Sequence, residues 1–446
     1  MRRRYSSAPF ADAVAELCVA AHERLLPPGA AFRQTVLAAV VARFQESGGE
    51  PRLALLSLGV GTKFLRGARG SHGPDVVCDM HAEVLARRSL IRVLLQAAGS
   101  GGRCPSGAGA AYPAILERKG DGWALRASVS LHLYTSSTPC GNSAIKRWVT
   151  GKRVTTEGLG RLDVPPPASG AVHVTAREAG QVSFSRKGGE IPSRPPPEAA
   201  APPDGAWSAE APSPDAGPLA CSDKIAVWQC LGLQGAALSG LVGLVPLASV
   251  VAGRKCTVQT LDRACRGRVA GWALAAADAR PPFAAGHAVA AASMLATGVQ
   301  FDKAAMAADG GASFDAWDCL WWSADLEGGA GGGGAAWPDG AWGLGGAGHS
   351  RRLDGRTGLT PEGGPSGISR AGLGRLALAA GLADGSDGAG AWERMARRAE
   401  GYAAAKRSLQ RFVLAQLDAA GGKPKRRRPD KRQRDRGRKE PSSVKP

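Results

Sequence analysis

Three short motifs hold residue types that can do chemistry together: His81-Ala82-Glu83, Pro139-Cys140-Gly141 and Cys221-Ser222-Asp223-Lys224. One imidazole and two thiolates supply three protein ligands to Zn2+ and leave a fourth position open for water, which is how catalytic rather than structural zinc is held. Zinc lowers the pKa of its water to about 7, so hydroxide becomes available at neutral pH. Glu83 stands two residues after His81, within one helical turn, and can move protons beside that nucleophile without binding metal. Each motif alone has a plainer reading. A histidine at a helix start is commonly a cap or surface group, and a lone cysteine is commonly a small buried hydrophobe. Together, in order and each at an element boundary, they point to one site. His22, His72, His132, His173, His287 and His349 have no comparable neighbours and read as structural or exposed.

The elements that must carry these motifs follow from hydrophobic periodicity. Glu16 to Phe44 reads as two helical stretches split by Pro27-Pro28-Gly29. Leu53 to Val60 is an apolar run that ends in Gly59-Val60-Gly61-Thr62-Lys63, a buried strand followed by a tight turn. Asp79 can cap a helix running through His81, Val84, Leu85, Leu90, Ile91 and Leu94. Val129 to Tyr134 alternates as a strand does and delivers Pro139-Cys140-Gly141 at its end. Another helix opens near Ser222, and Ser369 to Leu382 and Trp392 to Leu417 read as further helices. The order of strand, helix, strand, helix and more helices predicts an α/β core with a helical C-terminal part.

Composition bounds what this core can belong to. The chain has 446 residues with 57 Lys and Arg against 38 Asp and Glu, a net charge of +19. That balance implies a polyanionic partner, most often nucleic acid. Lys423 to Glu440 carries eleven bases and three acids, 11 − 3 = +8, and reads as a disordered basic tail serving RNA affinity or nuclear import. Two segments read as surface insertions: 192–218 has nine prolines and 327–348 has eleven glycines. The nine cysteines are odd in number and form no close CxxC pair, so neither a disulfide framework nor an ordinary zinc finger is expected. The uncharged stretch Ile225 to Gly253 is broken by Gln229, Gln234, Pro246 and several glycines, which excludes it as a membrane span. The basic start Met1-Arg2-Arg3-Arg4 lacks a signal-peptide apolar core, and an organelle presequence stays an alternative to a nuclear or cytoplasmic location.

The motifs Gly59-Val60-Gly61-Thr62-Lys63, Asp79-Met80-His81-Ala82-Glu83-Val84-Leu85-Ala86-Arg87-Arg88, Ser137-Thr138-Pro139-Cys140-Gly141 and Cys221-Ser222-Asp223-Lys224-Ile225-Ala226 resemble the adenosine-deaminase (editase) domain. Trp228, Gly232-Leu233-Gln234-Gly235 and Tyr402-Ala403-Ala404-Ala405-Lys406 extend the resemblance. Position 143 is Ser, so the close PCxxC pair of small cytidine deaminases and bacterial-type tRNA adenosine deaminases is absent. The wide step from Cys140 to Cys221 is instead that of the editase branch. The resemblance implies a cytidine-deaminase-like three-layer core, a mixed sheet with helices on both faces, with a helical C-terminal extension. The domain would run from 14 to 420, interrupted at 192–218 and 327–348, with the basic tail 423–446 beyond it.

The resemblance also assigns roles. His81, Cys140 and Cys221 would hold zinc, Glu83 would be the proton shuttle, and Thr62 and Lys63 would line the nucleotide pocket. Arg87, Arg88, Lys224, Arg370, Tyr402, Lys406 and Lys423 match positions around a buried inositol hexakisphosphate. Relatives acting on double-stranded RNA have Arg at Val227 and Asn at Cys78, so the phosphate cage here would be thinner. Asn142 stands where an Asp is usual. The pattern begins close to Met1, leaving no room ahead of it for separate RNA-binding domains, and this favours the tRNA branch. The implied reaction is deamination of adenosine to inosine 3′ of the anticodon, in an alanine tRNA, with no obligatory protein partner. Editing of other structured RNA, an inactive deaminase fold that only binds RNA, and a basic scaffold with structural zinc are the competing readings.

Overall fold

The computed structural model describes residues 7–25, 36–45, 48–65, 72–103, 114–141, 143, 220–267, 269, 292–301, 317–324, 352–406 and 408–409. The segments expected as insertions, the basic tail with Lys423, and Asn142 lie outside the described residues.

The core is a seven-stranded mixed sheet. Helix α1 (Ser7–Leu25) leads into β1 (Leu37–Phe44), β2 (Arg52–Val60) and the short pair β3 (Thr62–Phe64) and β4 (Asp79–His81). Helix α2 (Ala82–Gly99) follows, then a hairpin of β5 (Leu116–Lys119) and β6 (Gly122–Leu125), and β7 (Val129–Ser137). Helix α3 (Cys221–Leu231) precedes β8 (Leu247–Arg254), β9 (Ser293–Ala296), β10 (Asp318–Ser323) and β11 (Arg352–Asp354). Helices α4 (Arg370–Ala379) and α5 (Gly388–Arg397) come last among the long elements. The strand order is β11-β10-β2-β1-β7-β8-β9. The β7, β8 and β9 steps are parallel and the rest are antiparallel.

The sequence Leu37-Ala-Ala-Val-Val-Ala-Arg-Phe44 reads as helix but is the central strand β1. Every position except Arg43 is buried, because β1 pairs with β2 and β7 while α1 and α2 both pack on it. A strand covered on both faces has no polar alternation, so its pattern looks the same as a buried helix. The later strands β8 to β11 were not legible for the same reason, or because they are only three to six residues long. The expected helix Trp392–Leu417 is divided: α5 starts earlier, at Gly388, and ends at Arg397, and helix resumes over 400–406. The uncharged stretch Ile225 to Gly253 is α3, a short helical turn and β8, and no helix among the described residues is long and apolar enough to cross a membrane.

Two packing features fix α2, the helix that carries His81 and Glu83. Gly59 lies directly beneath it, where a Cβ would fall 2.5 Å from the Ala82 carbonyl oxygen and 2.5 Å from Leu85 Cβ. Only a residue without a side chain lets β2 and α2 approach this closely. Leu85, Leu90, Val93 and Leu94 are then fully buried, each such side chain stabilising the fold by roughly 1.5–3 kcal/mol.

Candidate active site

Three element ends meet beside the carboxyl end of β7, which is where open α/β sheets place their ligands. The first is the start of α2. Its N-cap is His81, and the Asp79 side chain does not cap it, contrary to the sequence expectation. Asp79 instead turns inward, where its Oδ1 accepts from the His81 backbone amide at 3.1 Å and lies 2.9 Å from His81 Nδ1. Its Oδ2 forms an ion pair with the Lys224 amine at the start of α3. An Asp two residues before a His satisfies the local pattern of a cap equally well, because capping needs only local geometry.

β3 clamps this start. Thr62 pairs with His81 and Lys63 with Met80, and the Ala82 amide donates to the Gly61 carbonyl at 2.9 Å. The second element end is Thr138-Pro139-Cys140-Gly141 after β7. The Thr138 amide donates to the Arg254 carbonyl at 2.9 Å, and Gly141 takes φ +97°, a backbone that favours glycine. The third is the α3 N-terminus. The Cys221 amide donates to Cys140 Sγ at 3.3 Å, and the Ser222 amide donates to the Cys140 carbonyl at 3.1 Å.

The electrostatics follow from these contacts. A hydrogen bond from the Cys221 thiol brings the Cys140 pKa down to about 7, helped by His81 and the Cys221 amide and opposed by burial. The same thiol–thiol bond and burial push Cys221 well up. Burial disfavours a charged His81, but the Asp79 carboxylate and Cys140 outweigh it and raise the imidazole to about 9. Burial likewise opposes ionised Asp79, yet Lys224 and His81 hold its carboxyl far below the usual range. Glu83 is buried, and Thr135 Oγ1 on β7 lies 3.3 Å from its Oε1.

The donor chemistry suits a soft divalent cation: two thiols in contact, an imidazole close enough to polarise one of them, and a carboxylate that fixes the ring orientation through Nδ1. Among the described residues no group of three or more His, Cys, Asp and Glu side chains is drawn together tightly enough to hold a metal ion as it stands. Cys140 and Cys221 are free thiols in close approach, with the Cys221 amide directed at Cys140 Sγ.

A basic cluster lies behind α2. Arg87 Nε donates to the Leu233 carbonyl at 3.0 Å and its guanidinium lies 5.2 Å from the Trp228 ring centre. Gly235, at φ +71°, leaves the space that Arg87 fills, since a Cβ there would fall 2.5 Å from Arg87 Nη2. Arg88 Nε donates to the Ile368 carbonyl at 2.7 Å, and Arg370 Nη2 to the His72 carbonyl at 3.3 Å. Desolvation and the neighbouring Arg87 and Arg370 lower Arg88 to about 10. Burial raises the Tyr402 phenol, against the pull of Arg87. Thus Arg87, Arg88, Arg370 and Tyr402 interact with one another, Cys78 faces Arg88 and Arg370, and Lys224 is engaged by Asp79. Arg87 and Arg88 are half-buried, and burial lowers the pKa of both guanidiniums. Lys406 is half-buried on the helical turns 400–406.

A mixed sheet flanked by helices, with His-x-Glu on a helix start facing two cysteines across the carboxyl end of a parallel strand, is the architecture of a deaminase-like fold with a helical extension. The chain belongs to the adenosine-deaminase (editase) domain family, whose family model matches residues 57–294. It is 28% identical over 244 residues to the double-stranded RNA-specific editase Adar of Drosophila melanogaster, covering 53% of this chain and 32% of that one. It is 29% identical over 290 residues to the double-stranded RNA-specific adenosine deaminase of Mus musculus, covering 63% and 23%. Similarity to the tRNA-specific adenosine deaminase 1 of Drosophila melanogaster is 26% over 247 residues, covering 52% of each chain. The matched part is therefore about a quarter to a half of these relatives' own lengths.

Proposed function

We propose that the protein deaminates adenosine to inosine in RNA, with His81, Cys140 and Cys221 as zinc ligands and Glu83 as the proton shuttle. The observation that supports this most directly is the meeting of Glu83, His81 and the Cys140–Cys221 thiol pair at one sheet end, from three segments spread over 141 positions, 221 − 81 + 1. Zinc bound there supplies an acidified water at neutral pH. The chain's own residues do the rest. Asp79 holds the His81 ring in one orientation and is itself neutralised by Lys224. The buried Glu83 carboxylate takes one proton from the attacking water and delivers it to the purine ring nitrogen, then takes the remaining proton of the added hydroxyl and gives it to the amine as the C6–N bond breaks and the C6 carbonyl forms, so that water is consumed and ammonia leaves. Thr62 and Lys63, clamped to the His81 strand, border the position of the flipped base. Unstacking that base costs least in a single-stranded loop.

The finer reading is a tRNA substrate, the adenosine 3′ of the anticodon in alanine tRNA. It is supported by the 26% identity over 247 residues to the tRNA-specific relative. The relatives named for double-stranded RNA support a second reading, editing within a duplex. Inositol hexakisphosphate is the anion we assign to the Arg87, Arg88, Arg370 and Tyr402 cluster, because like charges held together away from water call for a buried counter-charge. The test is inosine detection by mass spectrometry after incubating purified protein with alanine tRNA or with duplex RNA. Inosine in the tRNA alone establishes the finer reading, inosine in the duplex alone the second, and inosine in neither, with zinc bound, refutes deamination.

A further inference from the structure

Trp317 is a large side chain that the fold leaves in solvent, with 36% of its surface exposed at the lead-in to β10. Two cations surround it. Lys63 Nζ lies 4.3 Å from the ring centre and the Arg356 guanidinium carbon 5.6 Å from it. The backbone here is fixed closely: the Gly355 amide donates to the Trp317 carbonyl at 2.9 Å, and a Cβ on Gly355 would fall 2.4 Å from that oxygen and 2.8 Å from Lys63 Cγ. Lys63 is one residue from Thr62, which pairs with His81, so the cation beside the ring is carried by the same short strand that borders the start of α2. The Arg356 side chain is half exposed, lies 3.6 Å from Asp354 Oδ1 and shares that carboxylate with its own backbone amide, which donates to Oδ1 at 2.8 Å.

An exposed indole costs apolar hydration and contributes little to the core, whereas an indole flanked by cations suits a strand that alternates flat bases with phosphates. We propose that Trp317 is a stacking platform for a base neighbouring the target nucleotide in a single-stranded RNA segment, with Lys63 and Arg356 meeting the adjacent phosphates. This deepens the proposed function and rests on RNA being the substrate, but it concerns binding and not turnover.

The experiment measures binding of a fluorescein-labelled single-stranded RNA of about 12 nucleotides, a length within the span such surfaces cover, to the full chain by anisotropy across a salt series. Trp317→Ala should weaken binding about 5- to 100-fold with the salt slope unchanged, because stacking is lost and no charge is removed. Trp317→Phe should restore most of the affinity, which a change in folding alone would not predict. Arg356→Gln should lower the slope of log affinity against log salt by about 0.7. Unchanged affinity in Trp317→Ala, or no rescue by Trp317→Phe at an unchanged melting temperature, would overturn the platform and hand the indole to a protein partner. Should Trp317→Ala fail to fold, the Phe and Gln variants decide by the same criteria. A wild type that binds through Trp317 yet forms no inosine sinks the deamination reading and leaves this one standing. A wild type that forms inosine while Trp317→Ala binds normally does the reverse.

Discussion

Thr135 Oγ1 stands 3.3 Å from Glu83 Oε1 and 2.9 Å from the Ser137 carbonyl oxygen. A hydroxyl has one proton, so it cannot donate to both at once. When it donates to Ser137, its lone pair can receive the proton of a protonated Glu83. When it donates to Glu83, it steadies the carboxylate. Thr135 is therefore a positioning residue that can serve either protonation state of the proposed shuttle without being exchanged itself.

Thr135→Val keeps the branched shape and removes only the hydroxyl. Single-turnover deamination should fall about 2- to 12-fold, the worth of one neutral hydrogen bond, while zinc content and substrate affinity stay level. An unaltered rate would show that the contact has no part in the reaction.

Glu83→Gln should retain fold and metal but lose deamination by about 10²–10⁴-fold, because the amide is nearly isosteric and cannot carry a proton. Rapid-quench assays at saturating enzyme read this directly. A rate within about threefold of wild type would remove Glu83 from the role.

One zinc per chain is expected by elemental analysis, and Cys221→Ala should lose it. Cys221 and Cys140 are free thiols brought together by the Cys221 amide on Cys140 Sγ at 3.3 Å, and thiols that take up a metal do so as thiolates, so zinc binding should release protons. A Cys221→Ala protein with full zinc would discard the ligand assignment.

Lys224→Met removes the cation that neutralises Asp79 behind His81. Leaving one half of a largely buried pair uncompensated costs about 3–5 kcal/mol, visible as a lower denaturation midpoint. Adding Asp79→Asn should return part of that loss. If the double variant is no more stable than the single one, the pair is not what the loss reports.

His132 makes the acid side of stability measurable. Its ring nitrogens lie 2.9 Å from Ser130 Oγ and 2.7 Å from Ser249 Oγ, and burial followed by the Arg43 charge lowers its pKa from 6.5 to about 4. The unfolded chain binds this proton first, so the stabilisation is complete above pH 6.5 and is lost as pH falls toward 4. Urea midpoints should decline over that window, and His132→Asn should flatten the decline. The same slope in both proteins would assign the acid response to other groups.

The amino-acid sequence by itself supplied the members of the proposed site and their order along the chain. His81-Ala82-Glu83, Pro139-Cys140-Gly141 and Cys221-Ser222 are short, locally defined and sit at element boundaries that Gly and Pro mark. It also determined β2, α2, β7 and α3, whose periodicity survives in their residues. It did not determine β1, since a strand buried on both faces carries no alternation. It could not assign Asp79, because a cap and an inward ion pair use the same residue, and only the 145 positions of separation closed by folding bring Lys224 to it. The neighbours Thr135 to Glu83, Arg88 to Arg370 and Lys63 to Trp317 were likewise decided only in three dimensions. Local chemistry is written in spacing, but contact between distant segments depends on sheet order and on the close approach that Gly59 permits between β2 and α2.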